Sequence, residues 1–319
     1  MSRDSMHRNT QVDKKIADHD IEHLREESTF PPEREMRKIT LYRRRFLRNR
    51  GAVVGLVIFA ILLIFAIFGG FIAKWDYTDP DFMNLSSKPS PEHWFGTDSA
   101  GMDLFAQSVH GLGRSLTIAV IVSFLTMMIS AFVGTFAAYR RGMVERLTLL
   151  LIHFLLSVPS FLILALMVSS KGGDWRMLIF ALTILGWVGT ARVIWTMSTS
   201  VREREYVQAA RFMGVSDLGI VFRHIIPNVS TMLVLNFTYG VQGTVMSETG
   251  LSFLGLGVQL PDCSLGTLLG DGVASLHSSP WLFIFPAVIL TLLTISMALI
   301  ADGMRDALDP NSAAGGKAK

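Results

Sequence analysis

Charged residues are scarce in this sequence: they make up 17% of the 319 residues, whereas hydrophobic residues make up 50%. Soluble domains carry charge on about a quarter of their residues. The composition therefore excludes an ordinary soluble domain and favours a membrane protein. Cysteine is nearly absent too. The single cysteine, Cys263, excludes an internal disulfide and any metal site built on a cysteine cluster.

Catalytic signatures are also lacking. The sequence has no GxxxxGK[ST] loop that could bind the phosphates of ATP, and no GxSxG or HExxH motif. Its eight histidines are scattered. We therefore predict that the chain is not an enzyme and holds neither a metal nor a cofactor of its own. Any energy that it uses must come from a partner.

Long apolar runs are what the sequence has in their place. Each of six runs reaches the roughly 20 residues that a helix needs to cross a bilayer. The runs are Gly51–Ala73, Ser115–Tyr139, Leu147–Ser170, Met177–Val201, Val229–Val258 and Ser279–Ala301. Backbone groups in lipid must pair within their own segment, so spans of this kind are helical. The sequence predicts an all-α membrane protein with six transmembrane helices.

The basic residues predict how the chain is oriented. Of its 29 Lys and Arg residues, 23 lie before the first run, after the second and fourth runs, or in the C-terminal tail. Such loops face the cytoplasm, so both termini are expected inside, and no nucleic-acid partner is needed to explain the positive charge. The predicted parts are a tail 1–50, a first span 51–73, an extracytoplasmic loop 74–114, a core 115–301 and a cytoplasmic tail 302–319. Because the first apolar run follows some 50 hydrophilic residues, it is not expected to be a cleavable signal peptide.

The predicted N-terminal tail ends in KITLYRRRFLRNR, which alternates basic and apolar residues from Lys38 to Arg50. We interpret it as an amphipathic helix on anionic membrane lipid in preference to a plain flank of the first span. Gly51 and Gly55 form a small-xxx-small pair, which is typical of closely packed helices.

One amphipathic segment, Tyr206–Asn228 (YVQAARFMGVSDLGIVFRHIIPN), separates the fourth and fifth runs. It predicts a short helix that ends at Gly214, where a left-handed backbone is tolerated. Ser216 or Asp217 then caps a second helix that ends near His224. Pro227 is expected to start the next element. These features also suit an ordinary loop between two spans.

The pattern Gln208-Ala209-Ala210, Gly214 and Ile226-Pro227 resembles the EAA signature of ATP-binding-cassette importer permeases. The segment YVQAARFMGVS…RHIIPN is similar to the form of this signature found in the dipeptide/oligopeptide branch. GTDSAGMD before the second run, ETGLSFLGLG starting at Glu248 and the terminal MRDALDP resemble the C-type subunit of that branch. The resemblance extends from about Arg43 to Pro310. Three residues depart from the family pattern: Gln208 replaces an acid, Met102 replaces an arginine, and His224 stands where an aliphatic residue is usual.

This resemblance implies a type I permease of the plasma membrane that imports oligopeptides or dipeptides by alternating access. The implied partners are a B-type permease, two cytoplasmic ATPases that bind ATP and magnesium, an extracytoplasmic solute receptor, and membrane lipid. Segment 202–228 would be the coupling loop. The residues expected to dock on the ATPase are Tyr206, Val207, Gln208, Ala209, Ala210, Met213, Gly214, Asp217, Ile220 and Val221. Among them the apolar Val207, Met213, Ile220 and Val221 are expected to supply the contact surface.

Alternatives remain open at this stage. The substrate could be nickel or another small solute, or the chain could be an ion-coupled secondary transporter that uses Glu248 and Arg192. Glu248 lies within the fifth run, where an unpaired charge is costly, and either lines the pathway or is a hydrogen-bonded structural carboxylate. Arg192 is expected to reach the cytoplasmic interface or to pair inside the bundle. Pro159 is expected to bend the third span, and that bend either shapes the pathway or is tolerated packing.

Overall fold

The computed structural model describes residues 38–169, 173–259 and 261–308. The chain divides after Arg44 into two units. Of the first unit only Lys38–Arg44 are described, and they belong to helix α1. The helices from α2 onward all lie in the second unit. The predictions for residues 1–37 and for the tail from residue 309 lie outside the described residues.

The described chain is helical. Its helices are α1 Lys38–Arg48, α2 Arg50–Ile72, α3 Leu104–Arg140, α4 Gly142–Ser157, α5 Ser160–Ser169, α6 Trp175–Arg202, α7 Glu205–Phe212, α8 Asp217–Ile220, α9 Ile226–Phe253, α10 Leu265–Ala274 and α11 Trp281–Leu308. A π-helical turn, Val221–Ile225, joins α8 to α9. In the described part, β structure is limited to two isolated bridges in the loop between α2 and α3. The all-α fold is confirmed.

Five helical stretches are long and apolar enough to cross a membrane, and the bent pair α4–α5 makes up to six. The break in that pair lies at Val158 and Pro159, where the helix axis turns by 79°. The expected bend at Pro159 is therefore a complete interruption. Proline cannot donate the hydrogen bond that would continue α4, and the carbonyl of Pro159 instead accepts from Leu162 in the first turn of α5.

Two span boundaries differ from the prediction. Helix α3 begins at Leu104, eleven residues before Ser115, because the Asp103 carboxylate caps it by accepting from the Ala106 N–H at 2.8 Å. The predicted loop 74–114 is shortened accordingly. Helix α9 ends at Phe253 and does not continue to Val258, since the backbone turns left-handed at Gly255 (φ +74°).

Helix α3 is the centre of the bundle and contacts α2, α6, α9, α10 and α11. Its buried residues belong to the main apolar clusters together with residues of α6, α9 and α11. Helix α2 packs on α11 through Gly55, where a Cβ atom would lie 2.9 Å from the Ser296 carbonyl oxygen. This close approach confirms what the Gly51–Gly55 pair predicted.

The loop between α2 and α3, residues 73–103 (the long loop), is ordered by its own polar groups. The buried His93 lies between two carboxylates, with Nδ1 at 2.9 Å from Asp103 and Nε2 at 3.3 Å from Asp81. The Asn84 amide and the Met83 N–H hydrogen-bond to Asp81 and lower the pKa of that carboxyl. Asp98 accepts from the backbone N–H groups of residues 100 and 102. These carboxylates are therefore used in folding the loop.

Candidate docking segment and buried polar groups

Segment 202–228 starts with helix α7 and a tight reversal of the chain. After α7 the N–H of Val215 donates to the Ala210 carbonyl at 3.1 Å, and that of Gly214 donates to the Arg211 carbonyl at 3.0 Å. This pair of bonds is the Schellman arrangement, which needs a left-handed residue. Gly214 supplies it with φ +79°. The predicted end of the first short helix at Gly214 is confirmed.

The second part of the segment is joined to α9 without a break. Ser216 caps α8 by accepting from the Gly219 N–H at 3.2 Å, as predicted. The new start at Pro227 is confirmed to within one residue, since α9 begins at Ile226 with Pro227 in its first turn. The expected end near His224 is wrong, because no break separates the two helices. Proline lacks the N–H that would bond the residue 223 carbonyl. The helix widens there into the π turn, in which the Ile226 N–H donates to the Val221 carbonyl. Residues 217–253 thus form one continuous helical run.

The inner face of segment 202–228 is buried against the transmembrane helices. Val207 is 1% exposed, and Ala210, Ile220 and Val221 are also buried. Val207, Ala210 and Ile220 belong to one apolar cluster with residues of α3, α6 and α9. The expectation that Val207, Ile220 and Val221 supply the contact surface for a partner is therefore wrong, since their side chains are already covered by this chain. Of the four, only Met213 is exposed.

The outer face exposes apolar side chains as well, among charged residues such as Arg211, and no cover for them is found among the described residues. Phe212 is 88% exposed and Met213 is 76% exposed, and Tyr206, Leu218 and Phe222 are also exposed. Sequence reasoning missed Phe212, Leu218 and Phe222. Helical spacing contains the signal: Phe212 is five positions from the buried Val207 and two from the buried Ala210, and Leu218 and Phe222 are each two positions from the buried Ile220, so they lie on the opposite side of their helix. We call Tyr206, Phe212, Met213, Leu218 and Phe222 the outer apolar face.

The ten residues expected to dock are thus divided among three environments. Buried are Val207, Ala210, Ile220 and Val221; exposed are Tyr206, Ala209, Met213 and Gly214; partly exposed are Gln208 and Asp217. The Gln208 amide donates to the Arg202 carbonyl at 3.0 Å. Asp217 forms a 3.0 Å ion pair with Arg140 at the end of α3. Both side chains therefore hold the segment to the bundle.

A basic cavity of about 380 Å³ lies beside α7. It is lined by Tyr139, Arg141, Arg202, Glu203, Val207, Gln208 and Arg211. Glu203 pairs with Arg141 and, at 3.0 Å, with Arg202, so one carboxylate faces three guanidinium groups. The lining of the cavity therefore carries a net positive charge.

At the opposite end of the bundle, Glu248 is 0% exposed. It accepts hydrogen bonds from the Ser252 hydroxyl at 2.7 Å and the Ser115 hydroxyl at 3.0 Å. Ser115 in turn accepts from the Leu265 N–H at 3.3 Å, and the Ser264 hydroxyl lies 3.3 Å from that of Ser252. This cluster (Glu248, Ser115, Ser252 and Ser264) joins α3, α9 and α10.

These contacts favour the structural alternative for Glu248, whose carboxylate has no open surface in this conformation. A pathway role for Glu248 stays a prediction. Pro159 is exposed at the α4–α5 break. Arg192 is exposed on α6, and no ion pair of its side chain is found within the described residues. Its expected pairing inside the bundle is therefore not seen.

Comparison with known proteins places this geometry in a family context. The family described as binding-protein-dependent transport system inner membrane component matches residues 130–313, and the N-terminal TM domain of oligopeptide transport permease C matches residues 40–89. The oligopeptide transport system permease protein OppC of Mycobacterium tuberculosis (strain ATCC 25618 / H37Rv) is 41% identical over 275 residues, covering 86% of this chain and 94% of the relative.

Two further relatives are matched over a similar share of this chain. OppC of Escherichia coli (strain K12) is 36% identical over 270 residues, covering 84% of this chain and 89% of the relative. The dipeptide transport system permease protein DppC of Bacillus subtilis (strain 168) is 32% identical over 269 residues, covering 84% of both. The matches include segment 202–228 and the bundle around it.

Proposed function

The chain belongs to the family of binding-protein-dependent transport system inner membrane components, and from this premise we propose that it is one permease subunit of an ATP-driven importer of oligopeptides or dipeptides. The substrate class comes from the names of the relatives described above. The importer would also contain a B-type permease, two cytoplasmic ATPases that bind ATP and magnesium, and an extracytoplasmic receptor. The chain itself would contribute no cofactor and no catalytic residue. It would lie in the plasma membrane with both termini inside.

One observation carries this proposal: segment 202–228 is anchored on one face and exposes five large apolar side chains, interleaved with charged residues, on the other. An apolar patch that stays exposed on a protein surface marks an interaction site. The outer apolar face contains two phenylalanines and a tyrosine, and aromatic residues are typical anchors of protein interfaces. We infer that it occupies a groove in the ATPase.

Helix length supports the position of this face outside the bilayer. The continuous run Asp217–Phe253 has 37 residues and is about 55 Å long at 1.5 Å per residue. The hydrocarbon core is about 30 Å thick, so the run exceeds it. Helix α3 also has 37 residues, and its end is joined to α8 by the Arg140–Asp217 ion pair. Both helices would project together into the cytoplasm and present α7 there.

The same anchoring supports a mechanism of coupling. Because Val207 and Ala210 pack on α3, α6 and α9, a force on the outer apolar face would be transmitted to those spans instead of bending a free loop. Closure of the ATPases on ATP would move α7 and α8. The spans would follow as rigid elements and open the pathway alternately to either side of the membrane. Gly214 would fix the angle between the two short helices.

The test compares Phe212→Ala with Phe71→Ala, a change at an equally exposed phenylalanine (86%) on α2. We expect Phe212→Ala to weaken co-purification with the ATPase by about tenfold or more, because central aromatic anchors contribute about 2 kcal/mol at an interface. Peptide uptake should fall in parallel, and Phe71→Ala should match the wild type. Unchanged co-purification and uptake in Phe212→Ala would contradict the docking role.

A further inference from the structure

A cleft lined by both apolar side chains, such as Leu164 and Leu182, and uncharged polar side chains lies in the middle of the transmembrane bundle, apart from segment 202–228 and from the Glu248 cluster. It has a volume of about 300 Å³ and lies between α3, α5, α6 and α9. Its polar lining includes Ser123, Thr126, Asn236, Thr244 and Ser247. Among the described residues that line it, none is charged. We call this space the membrane cleft.

The membrane cleft lies at mid-depth of the spans. Gly243, which also lines it, is 17 residues after the start of α9 and ten before its end, or about 26 Å and 15 Å along the axis. Ser123 is close to the centre of α3. Polar side chains at such depth are costly in lipid and generally face protein or a water-filled space. Their convergence from two helices on one concave surface indicates water.

The polar groups of the cleft have bonding capacity left. The hydroxyl oxygens of Ser123 and Thr244 are 3.4 Å apart. This distance is longer than the separation of about 2.7–2.8 Å that is usual between hydrogen-bonded hydroxyl oxygens. Asn236 donates one amide hydrogen to the Met232 carbonyl at 2.8 Å within its own helix. An amide side chain has a second N–H and a carbonyl oxygen, and within the described residues neither is hydrogen-bonded to protein.

Gly243 provides an independent observation. A Cβ atom at Gly243 would meet nothing within 4 Å, so packing inside this chain does not require a glycine there. At Gly134 on α3, in contrast, a Cβ atom would lie 2.6 Å from the Ala191 carbonyl oxygen, which explains that glycine. Glycine weakens a helix relative to alanine. The described residues therefore leave the space at Gly243 open to another molecule.

We propose that the membrane cleft is this chain's part of the translocation path, and that it binds the main chain of a peptide through hydroxyl and amide groups. Peptide N–H and C=O groups pair with neutral donors and acceptors of this kind. The absence of charge in the lining leaves no preference for one sign of side chain. This inference rests on the proposed function and adds which part of the peptide is recognised.

Small residues also occur where transmembrane helices pack closely, and thiol labelling distinguishes the two arrangements. The native cysteine gives a low background, since Cys263 is buried and burial raises the pKa of its thiol to about 12. The experiment uses the complete transporter with Gly243→Cys, and a charged, membrane-impermeant methanethiosulfonate as the probe. Ile61→Cys, at an exposed mid-helix position of α2, is the control in lipid.

We expect Gly243→Cys to be labelled about tenfold faster than Ile61→Cys, or more, because only a hydrated thiol ionises readily. With receptor and ATP present, trialanine and its single-lysine and single-glutamate analogues should slow labelling to similar extents. Ser247 lies one helical turn further along the same face. Ser247→Cys should be labelled and protected in the same way as Gly243→Cys, and it replaces that variant in the experiment if Gly243→Cys assembles poorly.

Three outcomes would overturn the proposal. Unlabelled Gly243→Cys and Ser247→Cys in complexes that still take up peptide would identify the glycine face as a packing seam. Protection by peptides of one charge only would contradict main-chain recognition. Failure of the wild-type complex to take up any of these peptides would overturn the proposed function and peptide recognition with it, while the labelling rate would still report whether the cleft contains water.

Discussion

Two regions of this chain depart in opposite directions from their surroundings. Segment 202–228 places apolar side chains such as Phe212 and Met213 on a surface that we assign to the cytoplasm. The Glu248 cluster places a carboxylate and three hydroxyls inside the transmembrane bundle. The first region leaves its apolar surface uncovered, whereas the second satisfies its polar groups within the chain.

The difference shows which region needs a partner. A buried polar group whose hydrogen bonds are satisfied within the chain needs no further partner. The Glu248 cluster joins three helices through such bonds. An exposed apolar face becomes complete only when another molecule covers it. Substitutions in the Glu248 cluster should therefore act on stability first, and substitutions on the outer apolar face should act on assembly first.

The largest effect is expected where segment 202–228 itself is buried. Ala210→Glu places a carboxylate in the apolar cluster beneath α7, and an unpaired buried charge costs about 3 kcal/mol or more. We expect a lower thermal midpoint in detergent and little folded protein. Ala210 was expected from the sequence to dock on the ATPase, whereas its burial predicts an effect on folding first.

The neighbouring alanine is the matched control for that change. Ala209 is exposed. Ala209→Glu should therefore change the free energy of unfolding by no more than the roughly 0.5 kcal/mol typical of surface changes, and leave the thermal midpoint nearly unchanged. It should nevertheless lower ATPase co-purification, because a charge would then stand beside the outer apolar face. Equal thermal midpoints for the two variants would contradict the assigned burial of α7.

A somewhat smaller loss is expected in the Glu248 cluster. Glu248→Leu removes the acceptor of the Ser115 and Ser252 hydroxyls, and leaving a buried polar group unpaired costs about 1–3 kcal/mol. Glu248→Gln keeps an acceptor and should retain both stability and peptide uptake. If Glu248→Gln folds normally but abolishes uptake, the carboxylate has a role in transport that the structural assignment does not include.

The smallest effect is expected at Gly214. A Cβ atom there would meet nothing within 4 Å, but φ is +79°, and a left-handed backbone costs an L-residue about 1–2 kcal/mol. We expect Gly214→Ala to shift the thermal midpoint slightly and to reduce uptake only in part. Gly214→Asn, which tolerates this conformation better, should lie closer to the wild type. Full stability of Gly214→Ala would show that the reversal after α7 is not strained.

Much of the fold could be predicted because it depends on local sequence. Apolar runs long enough to cross a bilayer identify the spans, and Gly214 and Ser216 identify the reversal after α7. Local sequence could not predict the continuous run through Pro227, because a π turn that absorbs a proline depends on how the flanking residues pack. Nor could it predict that Asp103 starts α3 eleven residues early.

The sequence by itself therefore determined that this chain is a helical membrane protein with an amphipathic segment between two spans, since hydrophobicity and chain length decide insertion. Only the tertiary structure decided which residues of that segment are available to a partner. Val207 and Ile220 resemble Met213 in hydrophobicity, but they are covered by α3, α6 and α9, which come from other parts of the sequence. Burial is a property of the packed bundle, and the same is true of the hydroxyls that surround Glu248.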